Sequence, residues 1–93
     1  MQGYIYPAIF YKDNDDGVYR VYFPDIELAT EGKVMEEAFL WAKEFLKAYF
    51  VQVQKYGFEY NEPSEYEVVR AKTPNESTVM LIDAVVTKKD LKK

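Results

Sequence analysis

The sequence contains neither cysteine nor histidine. Without cysteine the chain can form no disulfide framework and no thiolate metal site. Without histidine it lacks the commonest metal ligand and the side chain best suited to proton transfer near neutral pH. These absences exclude zinc chemistry, a Ser-His-Asp triad and histidine-dependent RNA cleavage, and we expect no cofactor.

Long apolar runs are also missing. No stretch approaches the roughly 20 apolar residues that a membrane helix needs, and the first residues do not show a charged segment followed by an apolar one, as a signal peptide would. We therefore expect a cytoplasmic protein with no membrane association. The 93 residues, rich in Tyr and Phe, suit one domain with a single thin core.

The net charge of −4 is unevenly distributed. Residues 87–93 hold four Lys and one Asp, a charge of +3, so residues 1–86 carry −7. An acidic body disfavours nucleic acid as the main ligand, because binding phosphates needs clustered Lys and Arg. It suits a basic protein partner, although a solvated surface followed by a disordered tail accounts for the same charges.

The first part of the chain predicts a β-hairpin. Residues 4–12 are aromatic and β-branched, which favours a strand, and Pro7 places that strand at an edge or at a bend because it has no N–H. Residues 13–17 form an acidic turn that ends in Gly, and residues 18–23 return as the second strand. Alternation along the second strand places three apolar side chains on one face: Tyr19, Val21 and Phe23.

A short third strand at residues 28–30 precedes a long amphipathic helix. Apolar residues recur at steps of three and four over residues 34–55, and Gly57 marks the end of the helix. Leu40 and Trp41 lie outside the apolar stripe. Trp41 therefore either packs within the monomer, where it caps the sheet edge or shields a loop, or belongs to an interface, where Trp is enriched.

The last third predicts a short helix and a strand. Ser64 and Glu67 have the spacing of a capping box, so residues 64–71 favour a helix, although Val68 and Val69 also suit a strand. Residues 78–86 are nearly all apolar, which predicts a central strand covered on both faces. The order β-β-β-α-(α)-β predicts an α+β two-layer sandwich with an antiparallel-rich sheet and a long helix on one face. We expect one domain over residues 1–86 and a basic, disordered tail over residues 87–93.

Several short motifs occur in a fixed order along the chain. They are Tyr-Pro-Ala-x-Phe, an acidic turn ending in Gly, Phe-Pro-Asp, Thr-x-Gly and Glu-Glu-Ala, carried by Tyr6, Pro7, Ala8, Phe10, Asp16, Gly17, Phe23, Pro24, Asp25, Thr30, Gly32, Glu36, Glu37 and Ala38. In this order and spacing they resemble the HicB family of antitoxins, over roughly residues 4–86. The resemblance implies a partial ribonuclease-H-like fold, a prokaryotic toxin–antitoxin system, and a small basic toxin of the HicA type, an mRNA-cleaving ribonuclease, as the bound partner.

Three departures from the family pattern affect these expectations. Residues 27–29 replace the family's Pro-Gly-Cys with a loop that is one residue shorter, which can change partner choice. Lys33 and Val34 stand where relatives have Asp-Thr, so a conventional helix N-cap is lost. The sequence ends at Lys93, where many relatives continue into a DNA-binding domain, and we expect no sequence-specific DNA binding by this chain.

Charge and the family resemblance together suggest the contact residues. We expect Asp25, Glu27 and Glu31 to face the basic partner, although a plain solvated loop accounts for each of them. A homodimer is also expected, because the sequence holds apolar groups that a four-stranded sheet should not cover: Leu40, Trp41, Tyr4 and Tyr6.

Functions in other classes stay open at this point. A ribonuclease-H-type nuclease needs several converging carboxylates, whereas Asp83 stands alone on its strand and Asp25 lies at a strand end, so we do not expect an enzyme. Tyr4, Tyr6 and Tyr11 could stack bases, but only Lys12 and Arg20 lie near them in sequence, which favours packing in the core or at an edge. The main alternative is an orphan HicB-like domain that oligomerises for regulation or binds RNA and has no toxin partner.

Overall fold

A computed structural model describes residues 2–92 as a four-stranded sheet and three helices. The strand order is β3-β2-β1-β4, and all neighbouring strands are antiparallel. The predicted α+β fold, with a long helix on one face of an antiparallel sheet, is confirmed. The elements are β1 Gln2–Lys12, β2 Tyr19–Phe23, β3 Leu28–Gly32, α1 Met35–Tyr56, α2 Tyr66–Lys72, β4 Thr78–Val86 and α3 Lys88–Leu91.

The core lies between α1 and one face of the sheet. Alternate residues of each strand point toward α1 because side chains in a strand alternate between faces. On α1, buried residues recur at steps of three and four, as the sequence predicts. Burying each large apolar side chain stabilises the fold by about 1.5–3 kcal/mol. The core residues include Tyr6, Ala8, Phe10, Val21, Phe23, Ala38, Ala42, Leu46, Phe50, Val53, Ile82, Ala84 and Val86.

Arg20 organises the acidic hairpin turn. Its guanidinium forms ion pairs with Asp13 at 3.1 Å and Asp16 at 2.6 Å, and also binds Glu31 on β3. The backbone N–H of Asp15 and the Arg20 side chain lower the pKa of Asp13. The Asp13 and Asp16 carboxylates are thus satisfied within the hairpin.

Two sequence predictions about the strands need correction. β1 is an inner strand from Ile9 onward, where it pairs with β2, but at Pro7 it has only β4 as a neighbour, so an edge is found there and not along the whole strand. The missing N–H of Pro7 is tolerated because this part of β1 has one neighbour. β4 is an edge strand, not a central one, and its alternate residues Leu81 and Val85 are exposed. On the face away from α1, α2 contacts β4 and Val79 is buried, so only the later part of that face is uncovered.

The helix ends depart from conventional caps. Val34 precedes α1 without a side-chain cap, and the carboxylate of Glu37 accepts a hydrogen bond from the Lys33 N–H at 2.6 Å instead. At the other end Gly57 has a φ of 69°, the left-handed cap that the sequence predicts. α2 begins at Tyr66, and the capping box predicted at Ser64 does not form.

The structure differs from the predicted disordered tail at residues 88–91, which form the single turn α3. Thr87 and Asp90 form a capping box, and Asp90 also pairs with Lys47 of α1 at 3.2 Å. Leu91 packs against the core. These contacts order a segment that its many lysines led us to expect as a frayed end. Lys93 lies outside the described residues.

Acidification should release α3. The Thr87 N–H lowers the pKa of Asp90, with Lys47 adding to the effect. A carboxyl whose folded pKa is lowered stabilises the fold above its unfolded pKa, near 3.8, and this contribution is lost as pH falls through the lower, folded pKa. Hydrogen exchange of residues 87–91 should therefore accelerate as pH falls below about 4, after correction for intrinsic rates. In Asp90→Asn this pH dependence should disappear; if it persists, another group controls the segment.

Candidate partner-binding surface

Two separate segments of the chain contain acidic residues and no basic ones. Residues 21–32 hold three acids and residues 57–69 hold four. The net charge of residues 1–86 is −7, so these seven acids account for all of it, and the other charged residues in that range sum to zero. The seven acids are Asp25, Glu27, Glu31, Glu59, Glu62, Glu65 and Glu67.

Asp25 joins the two segments. Its carboxylate accepts hydrogen bonds from the Ser64 N–H at 2.9 Å and from the Ser64 hydroxyl at 2.5 Å. The Asn61 side-chain amide donates a hydrogen bond to the backbone carbonyl of Asp25 at 2.9 Å. The backbone carbonyl of Asn61 accepts one from the Tyr6 hydroxyl at 2.6 Å. The stretch between α1 and α2 has no regular secondary structure, so these bonds fix its position against the β2–β3 turn.

An open cleft of about 380 Å³ lies where the segments meet. Glu27 occupies its rim with a φ of 53°, a left-handed conformation that costs a non-glycine residue about 1–2 kcal/mol. The cleft combines exposed carboxylates with aromatic walls, which suits a cationic group. It is lined by Asp25, Ile26, Glu27, Tyr49, Glu59, Tyr60 and Asn61.

An aromatic cluster around Phe50 supports the cleft. The Phe50 ring stacks on Tyr4 at 3.8 Å and meets Tyr49 and Tyr60 edge-on, each at 5.0 Å. Burial, then the Glu62 carboxylate, raises the pKa of Tyr6, and burial also raises the pKa of Tyr60. The phenols remain neutral, and the nearby carboxylates make this end of the molecule electronegative.

The predicted contact residues are only partly brought together. Asp25 and Glu27 both line the cleft, but the Asp25 carboxylate is engaged by Ser64. Glu31 lies elsewhere, on β3, bound to Arg20. The sequence analysis did not identify Glu59, Tyr49 or Tyr60 as site residues. The absence of Lys and Arg over residues 57–69 was the signal that could have indicated an acidic surface at Glu59.

The four residues predicted for self-association have different environments. Tyr6 is buried in the core, so it cannot contact a second copy. Tyr4 is half-buried against Phe50. Leu40 and Trp41 are exposed, and Trp41 packs edge-on against Phe45 at 5.8 Å.

No group of three or more acidic, His or Cys side chains between Gln2 and Lys92 is placed to hold a metal ion. The Asp83 carboxylate is bound by the Lys43 ammonium at 2.9 Å, and this hydrogen bond lowers the pKa of Asp83. Within the same residues, no helix has the length and apolarity to cross a membrane.

Comparison with known proteins finds no matching family model and no matching curated protein. Two solved structures are similar. A toxin–antitoxin complex from Streptococcus pneumoniae contains a chain that is 25% identical, with a TM-score of 0.76 over 90% of this chain and 70% of that one. The HicB antitoxin of Burkholderia pseudomallei is 22% identical, with a TM-score of 0.77 over 97% of this chain and 68% of its own.

Proposed function

We propose that this chain, which is HicB-like in fold, is an antitoxin that binds and neutralises a small basic toxin of the HicA type. The fold that the motif resemblance implies is confirmed by the likeness to the HicB antitoxin, which extends over 97% of the chain. That likeness, together with the similar chain in a toxin–antitoxin complex, is the observation that supports an antitoxin role. A toxin of the HicA type is what the family resemblance implies, and the acidic charge of residues 1–86 suits such a basic partner.

The charge distribution supports a basic partner. Glu59 from residues 57–69 lines one cleft together with Asp25 and Glu27 of the β2–β3 turn, so a cationic surface would gain from several carboxylates at once. Tyr49 and Tyr60 line the same cleft, and a Lys or Arg side chain that packs over the face of either ring would gain a further 0.5–1 kcal/mol or so.

The proposed action is steric and needs no catalysis by this chain. The bonds of Asp25 to Ser64 and Asn61 hold the cleft in place before any partner arrives. A surface that is already ordered loses less conformational entropy on binding. Occupation of the toxin's basic, RNA-facing surface would then exclude its substrate.

A binding measurement with charge variants tests the proposal. The probe is the purified product of the reading frame adjacent to this gene, in catalytically inactive form, titrated calorimetrically. The double substitution of Glu27→Lys and Glu59→Lys should weaken binding by about a hundred-fold, because it reverses two carboxylates at the cleft.

A matched control separates the cleft from net charge. Glu44→Lys with Glu76→Lys changes the charge equally at exposed positions outside the cleft lining, and should leave affinity within about three-fold. Equal weakening by both pairs would mean that overall charge, and not this cleft, controls binding. If the wild-type chain does not bind, the orphan regulatory alternative is favoured.

A further inference from the structure

The outer edge of β4 is open. Its nine residues pair with β1 on one side, and among residues 2–92 no strand pairs with the other side. An unpaired strand edge of this length presents a row of free N–H and C=O groups that favour pairing with another chain. The other edge strand, β3, has five residues.

Two observations show which β4 residues direct their backbone groups outward. Pro7 has no N–H to donate, and it lies opposite Leu81, so this position fits a non-hydrogen-bonded pair. Lys43, on the α1 side of the sheet, reaches both the carboxylate and the carbonyl of Asp83, so its side chain passes around the outer edge. Because backbone groups alternate in direction along a strand, Leu81, Asp83 and Val85 present theirs outward.

Apolar side chains border this edge on both faces of the sheet. On the face away from α1, Ile5, Leu81 and Val85 are 56%, 54% and 41% exposed. On the α1 side, an open groove of about 650 Å³ lies beside the first half of β4. The groove is lined by Met35, Glu36, Phe39, Leu40 and Met80.

The charge at the edge indicates what could cover it. β4 carries a single charge, Asp83, and Lys43 neutralises it. A basic partner finds no free carboxylate along this strand, in contrast to the acidic cleft. Apart from Glu36 in the adjoining groove, the edge is neutral, apolar and able to form hydrogen bonds, and it matches a surface of the same kind, such as a second copy of itself.

We propose that β4 pairs antiparallel with β4 of a second copy about a two-fold axis at Ile82, which joins two sheets into one of eight strands. Residues that face each other across an antiparallel pair share a face, so this register sets Leu81 of each copy opposite Asp83 of the other. A register centred on Asp83 would instead oppose two like charges.

The ends of β4 are also complementary under this symmetry. The groove lies beside the first half of β4, at Met80, and α3 follows the C-terminal end of the strand. An antiparallel pair places the C-terminal end of each strand beside the N-terminal end of the other, so α3 of the second copy comes next to the groove.

Pairing also affects the two bonds between Lys43 and Asp83. The hydrogen bond from Lys43 to the Asp83 carbonyl is long, 3.4 Å, and is replaced by the backbone hydrogen bonds between the copies, while the ion pair with the Asp83 carboxylate is retained.

Two substitutions at one exposed position test the register by analytical ultracentrifugation of the isolated chain. The wild type should sediment as a dimer of the 11.0 kDa chain. Leu81→Asp places a carboxylate opposite Asp83 at two symmetric positions and should raise the dissociation constant about ten-fold or more. Leu81→Lys removes the same apolar group but faces Asp83 with a cation, and should leave the constant within about three-fold. Trp41→Ala, at a residue that does not line the groove, should have no effect.

Each outcome decides the proposal. A monomeric wild type overturns it, as does dimerisation that neither Leu81 variant affects. If Leu81→Asp and Leu81→Lys weaken dimerisation equally, the proposed register is wrong. Thermal unfolding checks that both variants fold, and hydrogen exchange over residues 78–86 provides a measurement without mutation: protection should increase with protein concentration in the wild type, and constant protection contradicts the pairing.

Discussion

Replacing Phe50 with alanine is expected to destabilise the fold by about 3–5 kcal/mol. Phe50 is fully buried and contacts four tyrosines, so its removal leaves a cavity that the surrounding rings cannot easily fill. Domains of this size have a total stability of about 5–15 kcal/mol, so much of it should be lost. Urea denaturation followed by tyrosine and tryptophan fluorescence measures the change in the free energy of unfolding.

Phe58→Ala is the matched control for this prediction. It deletes the same side chain from the same aromatic-rich region, but Phe58 is 57% exposed. Its effect should stay within about 0.5 kcal/mol. Similar losses in the two variants would contradict the burial assigned to Phe50, and with it the aromatic support of the cleft.

Gly32→Ala is expected to destabilise the protein by about 3 kcal/mol. A Cβ at this position would lie 2.3 Å from the backbone nitrogen of Ala38 and 2.8 Å from its Cα. Both are atoms of α1, so the end of β3 and the first turn of the helix would have to separate. The melting temperature by circular dichroism should fall by about 10 °C or more, given 4–8 °C per kcal/mol for small domains.

Gly3→Ala provides the comparison. A Cβ on Gly3 meets no heavy atom within 4 Å, so this substitution should be neutral or slightly stabilising. If Gly32→Ala proves equally neutral, then β3 and α1 are not as close as described. The close approach gives a physical reason for glycine in the Thr-x-Gly motif.

Local patterns predicted most of the fold. The period of α1 and the left-handed Gly57 placed that helix to within one residue at each end. The alternation of β2 identified its buried face. In contrast, the apolar run of β4 did not show whether its second face is covered, because burial depends on which elements pack there. The short α3 was missed because the lysines of this segment suggested fraying and the Thr87–Asp90 capping box was overlooked.

The candidate site was harder to predict because it depends on contacts between distant residues. Asp25 and Ser64 are 39 positions apart, and no periodicity links them. Ser64 was expected to cap α2, a local role, but its hydroxyl binds Asp25 instead. Charge and the family resemblance led to Asp25 and Glu27, while Glu59 became part of the same surface only through the folded position of the stretch between α1 and α2.

Growth of bacteria that express both this chain and its proposed toxin tests most directly whether the chain neutralises that toxin. The product of the adjacent reading frame should arrest growth when expressed alone, and co-expression of this chain should restore colony counts. The variant with Glu27→Lys and Glu59→Lys should fail to restore them, whereas the variant with Glu44→Lys and Glu76→Lys should succeed. Growth arrest that the wild-type chain does not relieve, with both proteins present in the cell, would contradict the account.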